Sequence, residues 1–340
     1  MNSLIVKLTL ALLIIVSLII YRSFFYSNIN VIAQESATLT NSKRYDSFPI
    51  QPLPQNINLA SNKVSLGEKL FHEPMLSKDN TISCVTCHDL TKSGTDQRAT
   101  SIGFQGAVGT VNSPTVFNSN YNFSQFWDGR AKTLEEQASG PIHNPIEMNS
   151  NWKEIIDKLQ ASDNYPQMFE SVYPDGITSH NISNAIATFE RSLITPNSAF
   201  DKYLRGNQSA LTKQELNGYQ LFNDNGCISC HQGINIGGNM YQKFGIIKNY
   251  FENKTINPSD LGRYNVTKNE DDRHVFKVPS LRNVGVTAPY FHDGSEQSLY
   301  KTIKIMGEYQ LGQTLSDQDT KDLLAFLHTL TGEWQGSRLQ

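Results

Sequence analysis

Charge of either sign is scarce in this sequence. Its 340 residues carry 29 Lys and Arg against 32 Asp and Glu, a net charge of −3, and only 18% of the chain is charged. Nothing in that balance attracts a polyanion, which argues against a nucleic-acid partner. Long apolar runs are scarce too. The most apolar stretch, Leu8 to Tyr21, has about fourteen residues, where a bilayer span takes roughly 20. No segment alternates apolar and polar residues well enough to predict a strand. Hydrophobic residues at 38%, with 14 Tyr and 17 Phe, suffice to build cores and exclude a disordered chain. The 22 Gly and 13 Pro predict long irregular connections. The length suits two domains of ordinary size rather than one small module.

The N-terminal run carries two readings. Following Lys7, and with Val31-Ile32-Ala33 resembling a cleavage site, residues 1–22 read as an export signal. Counting Leu4 to Val6 with a snorkelling Lys7 makes the run nearly long enough for a membrane anchor. Residues 23–47, rich in Ser, Asn and Thr, then read as a tether. Both readings place the rest of the chain outside the cytoplasmic membrane, in the periplasm.

Cysteine is limited to four residues, and they are not scattered: Cys84-Val85-Thr86-Cys87-His88 and Cys227-Ile228-Ser229-Cys230-His231. One CxxC is open to a zinc site, a redox dithiol or a disulfide. Two CxxCH runs that use every cysteine of the chain point to two covalently attached c-type haems. Each pair of thiols reaches the two vinyl positions, and the next side chain, His88 or His231, turns under the iron.

The chain is also an internal repeat. Ser113-Pro114-Thr115-Val116-Phe117-Asn118 leads to Phe126-Trp127-Asp128-Gly129 at the spacing that separates Val278-Pro279-Ser280-Leu281-Arg282-Asn283 from Phe291-His292-Asp293-Gly294. A similar phrase precedes each haem motif, Gly67 to Phe71 and Gly218 to Phe222. The expected architecture is mainly α: two cytochrome c-like domains, 48–204 and 205–340, each wrapped around a haem with long irregular loops. Helices are predicted over Ser65 to His72, Trp152 to Gln160, Asn181 to Leu193, Thr212 to Asn223 and Ser316 to Leu330, with Thr212 and Glu215 forming a capping box.

The repeat separates the two irons. Met306 follows His292 at the interval by which Pro141 follows Trp127. A thioether ligates iron and raises its potential, whereas proline cannot bind it. The second haem is therefore expected to be closed by His231 and Met306, with Met240 as the rival ligand, and the first to keep an open position.

These motifs resemble the bacterial di-haem cytochrome c peroxidases, a family that includes the MauG enzymes. The resemblance spans about residues 55–335. It rests on the two CxxCH runs, Phe126-Trp127-Asp128-Gly129-Arg130, Gly140-Pro141 through Pro145-Ile146-Glu147-Met148, Ala288-Pro289-Tyr290-Phe291-His292-Asp293-Gly294, and Lys304-Ile305-Met306-Gly307. It implies a peroxidase that reduces hydrogen peroxide to water at the N-terminal haem. Electrons would reach the C-terminal haem from a small cytochrome c or cupredoxin. It further implies a homodimer and a calcium ion between the domains. By position, Glu147 matches the distal carboxylate, Gln137 a distal hydrogen bonder and Trp127 the aromatic between the haems. Asn112, Thr287 and Pro289 match calcium positions, and His292 lies near the edge of the second haem.

One departure stands out. Family members carry a blocking histidine in the loop after the first motif, where this chain has Ser101-Ile102-Gly103-Phe104-Gln105-Gly106. Phe104 cannot ligate iron, so the first haem is expected to be open unless His72, His143, His180 or His274 substitutes. Two other functions stay in view. One is a MauG-like oxidation of a protein side chain, favoured by Phe104 and opposed by Met306. The other is a non-enzymatic di-haem electron carrier.

Overall fold

Glycines decide how the helices cross. In the computed structural model, which describes residues 49–340, the Ser61–Phe71 helix lies against Ser179–Ser192, and Lys213–Asp224 lies against Asp317–His328. A Cβ on Gly67 would fall 1.9 Å from the Ala185 carbonyl oxygen, and one on Gly218 would fall 1.9 Å from that of Asp322. Any larger residue would push the pairs apart, which explains the phrase ahead of each haem motif. The signal or anchor reading of 1–22 and the tether reading of 23–47 lie outside the described residues.

The helices begin where their caps direct. Thr212 accepts from the Glu215 N–H at 3.3 Å, and Glu215 accepts from the Thr212 N–H at 2.6 Å. Asn151 caps Trp152–Gln160, and Ser316 caps Asp317–His328. A further helix, Leu134–His143, is one the sequence does not predict, because Gly140 and Pro141 read as breakers. It forms because Thr133 caps it, and Pro141 falls in its last turn. Strand is confined, among the described residues, to two short antiparallel pairs, Tyr241–Lys243 with Val275–Lys277 and Glu333–Trp334 with Ser337–Arg338. Two or three residues are too few to leave an alternating signature.

Each half has its own core. Leu66, Phe71, Phe117, Phe169 and Ile186 belong to the first, and Phe200, Phe222, Leu323 and Phe326 to the second. The two ends of the described segment cross over: Ile50 packs in the second core, and Leu339 with Trp334 packs in the first. Helix Ala199–Leu204, on the N-terminal side of the 204/205 boundary, also packs with the second core through Phe200. A buried clamp secures this crossing. Arg282 holds both carboxylate oxygens of Asp201 at 3.1 Å and donates to the Gln51 carbonyl at 2.9 Å.

The repeat is visible in the backbone. Phe126 and Phe291 have φ of 67° and 69°, Gly129 and Gly294 of 68° and 63°, and Asn118 and Asn283 of 63° and 64°. The two copies also exchange hydrogen bonds. Asn112 N–H donates to the His292 carbonyl and Lys277 N–H to the Trp127 carbonyl, each at 2.8 Å. In repeat register Asn112 corresponds to Lys277 and Trp127 to His292, so the exchange is reciprocal, as across a pseudo-twofold axis.

Candidate functional site

The first haem motif lies on one helical turn, Cys84–Cys87, closed by a capping box between Ser83 and Thr86. His88 caps its C-terminus with non-helical backbone, φ −126° and ψ 60°. Its Nδ1 lies 3.3 Å from the Gly94 carbonyl, and burial pushes its pKa down. The second motif repeats the arrangement on Cys227–Ser229. Burial pushes His231 down to about 4 against the opposing pull of the Ile236 and Pro279 backbone, and its buried Nδ1 has no hydrogen-bond partner among the described residues. A neutral imidazole whose Nδ1 faces a carbonyl leaves the Nε2 lone pair for a metal. The four thiols are unpaired. Burial raises Cys84 and takes Cys227 up to about 11, which disfavours the thiolate that a reactive dithiol requires. Neutral half-buried thiols beside a neutral histidine fit thioether-linked haem c in both copies.

The expected distal carboxylate, Glu147, lies on the turn that follows Leu134–His143. Glu147 is half-buried, and burial raises its pKa. Opposing that rise, Asn144 donates to its Oε1 at 2.6 Å, and Arg130 supplies positive charge. Arg130 stacks over the Phe126 ring at 3.4 Å and pairs with Asp128 at 3.0 Å. The loop carrying Phe104 is bound to this turn, since Phe104 N–H donates to the Glu147 carbonyl at 2.8 Å. A Cβ on Gly103 would meet the Ile146 carbonyl oxygen at 2.2 Å, so the approach needs glycine there. Gln137 is half-buried on the helix, and its side chain makes no hydrogen bond among the described residues.

The second site is a cleft that gathers Cys227, Cys230, His231 and Met306. Met306 opens a wide helical turn, Met306–Gln310, directly after the Leu299–Ile305 helix, whereas Met240 does not line the cleft. Such widened turns recur at functional positions because they re-aim a side chain. Trp127 reaches the same cleft from the first repeat, with its Nε1 donating to the Asn112 carbonyl at 2.9 Å. Asn112, Thr287 and Pro289 line it as well. The Asn112 side-chain oxygen and the carbonyls of Thr287 and Pro289 accept no hydrogen bond among the described residues.

Three of the four spare histidines are engaged elsewhere. His72 and His143 are exposed and turn Nδ1 back to their own helices, on Glu68 at 2.9 Å and Ser139 at 2.7 Å. His180 is exposed at the start of Ser179–Ser192. His274 stacks on Phe251 at 4.1 Å and bonds the Asp260 carbonyl at 2.6 Å. Sequence reasoning missed Asp260, which pairs with the buried His292 at 2.7 Å. It also missed Arg130 as the cation beside Glu147, and the buried Glu190, whose Oε2 has no partner. The run Asp128-Gly129-Arg130 was the one signal available for Arg130, and nothing local in the sequence marks Asp260 or Glu190.

Comparison with known proteins agrees with this geometry. Residues 61–209 match the di-haem cytochrome c peroxidase family and residues 216–331 the cytochrome c family. The chain is 50% identical over 301 residues to cytochrome c peroxidase Ccp of Escherichia coli, covering 88% of this chain and 64% of that protein's length. It is 48% identical to cytochrome c551 peroxidase of Nitrosomonas europaea, with 84% of each covered. The crystal structure of a MauG-like protein associated with microbial copper homeostasis superposes with a TM-score of 0.74 at 29% identity, covering 84% of this chain and 94% of that one. Two haem-attachment turns, a repeat that exchanges hydrogen bonds across its seam, and identity of this extent along both halves make the chain a member of the di-haem cytochrome c peroxidase family.

Proposed function

We propose that the protein reduces hydrogen peroxide, with 48–204 as the peroxide-handling domain and 205–340 as the electron-receiving one. Bound through their thioethers, the two haems would supply the redox chemistry, H2O2 + 2e− + 2H+ giving two waters. His88 would hold the first iron, and His231 with Met306 the second. The observation that carries the reading is Glu147, a half-buried carboxyl of raised pKa, oriented by Asn144 and bound through its backbone to the Phe104 loop. A carboxyl of raised pKa holds its proton more readily than a free one, and peroxide cleavage asks for one proton moved from the near to the far oxygen. Gln137 would orient the peroxide. Trp127, fixed through Nε1 and its carbonyl on the seam, offers a covalent and hydrogen-bonded route for electrons between the domains.

A small cytochrome c or cupredoxin is the donor in this reading, and the enzyme works in the periplasm as a homodimer, its N-terminus an export signal or membrane tether. The uncommitted oxygens of Asn112, Thr287 and Pro289 suit a hard cation, and calcium is the ion proposed there. Replacing Glu147 with Gln is expected to lower peroxide turnover by roughly 10²–10⁴-fold with both haem spectra intact. Unchanged turnover would refute the role of Glu147 and favour a di-haem electron carrier. Phe104 in place of a histidine favours the MauG-like reading, oxidation of a protein side chain. Met306 in the second cleft weighs against it.

A further inference from the structure

Lys277 is a buried cation without a counter-charge. It is the last residue of the Val275–Lys277 strand, is 7% exposed, and pairs across the ladder with Tyr241. Its N–H is spent on the Trp127 carbonyl at 2.8 Å, but its ammonium makes no hydrogen bond or ion pair among the described residues. Burial alone pushes it down to about 8, with no carboxylate near enough to oppose the shift. The other buried cation of this half, Arg282, is fully satisfied by Asp201 and backbone carbonyls. An isolated ammonium taken out of water costs several kcal/mol unless an anion meets it.

The surroundings indicate where that anion lies. Lys277 lines the cleft that holds Cys227, Cys230, His231 and Met306, and neither Cys84, Cys87, His88 nor Glu147 lines it. The residue in the corresponding position of the first repeat is the neutral Asn112, so the cation belongs to the second site alone. A haem carries two carboxylates on its propionate arms and brings them to the protein when it binds. We propose that Lys277 is the positioning residue for one propionate of the second haem, holding that carboxylate at the seam beside Trp127. The anion's partner would then share a backbone hydrogen bond with the residue on the electron route. A fixed positive charge there favours the ferrous state of the second iron and keeps it ready to accept an electron.

The inference rests on haem occupying the second site and not on peroxide turnover. The experiment is a potentiometric titration of the holoprotein and its Lys277→Met and Lys277→Arg variants, following the second haem by its visible spectrum. A pyridine haemochrome count of two haems per chain establishes the haem assignment separately. Loss of one charge at an effective dielectric near 20 is expected to shift the ferrous/ferric ratio roughly tenfold toward ferric in Lys277→Met, about 59 mV lower for one electron. Lys277→Arg is expected to keep the wild-type midpoint. Equal midpoints in wild type and Lys277→Met would overturn the proposal. If Lys277→Met fails to retain the second haem, Lys277→Gln is read against Lys277→Arg: a lower midpoint in Gln alone supports the proposal, and equal shifts overturn it.

Discussion

Replacing Glu190 with Gln is expected to stabilise the protein, and to do so more as pH rises. Glu190 sits near the end of Ser179–Ser192, 5% exposed, with Oε2 unpartnered and its charge felt at Cys84. Arg191 offsets its charge only in part, being engaged by both oxygens of Glu135 at 2.9 Å. Burial therefore dominates and lifts the carboxyl from 4.5 to about 8. Its folded pKa lies above its unfolded one, so the sign follows. Below about pH 4.5 both states are protonated and the group costs nothing. As pH rises, the unfolded chain ionises while the folded carboxyl keeps its proton, and stability falls until the folded group also ionises near pH 8. At about 1.36 kcal/mol per pH unit the ceiling is about 5 kcal/mol, and about 3 kcal/mol of it accrues between roughly pH 5 and pH 7.5. Gln keeps the shape and cannot ionise. Guanidinium unfolding of both holoproteins, followed by circular dichroism across that range, should show the advantage of Glu190→Gln growing by an amount of this order. A difference between the two proteins that stays flat with pH would refute the buried, protonated carboxyl.

Other perturbations test other parts. Phe104→His is expected to convert an open high-spin ferric first haem, reactive to peroxide as isolated, into a low-spin form that reacts only after reduction of the second haem. An unchanged EPR spectrum would mean that the loop does not face the iron. Asp201→Ala leaves Arg282 buried and unpaired, and is expected to cost about 3–5 kcal/mol by denaturant unfolding. A loss below about 1 kcal/mol would mean that the crossing at Ile50 and Ala199–Leu204 does not depend on this clamp.

The parts legible in the sequence are those in which chemistry or a cap acts over a few residues. The CxxCH turns, the Thr212 capping box and the Trp152–Gln160 helix need only near neighbours, and the duplication is read by counting. Leu134–His143 was hidden by Gly140 and Pro141, because a proline in a last turn looks the same in sequence as one that ends a helix. His292 with Asp260 joins residues that no motif links, and only the fold brings them to 2.7 Å. Glu190 and Lys277 were silent for a different reason. Each is buried within a helix or strand, and the sequence of a buried charge matches that of an exposed one until the packing is known.

The packing of Trp334 and Leu339 into the first core imposes an order on folding. Trp334 packs edge-on against Phe117 at 5.4 Å, and Leu339 completes the same core. A chain synthesised N-terminus first therefore leaves the Phe117 face of its first half uncovered until Trp334 and Leu339 have been made. Both CxxCH runs are available for haem attachment before that face is covered. A proteolytic nick ahead of Trp334 would spare the expected haem ligands and still open the first core, so a cut late in the sequence would register in the half that precedes it.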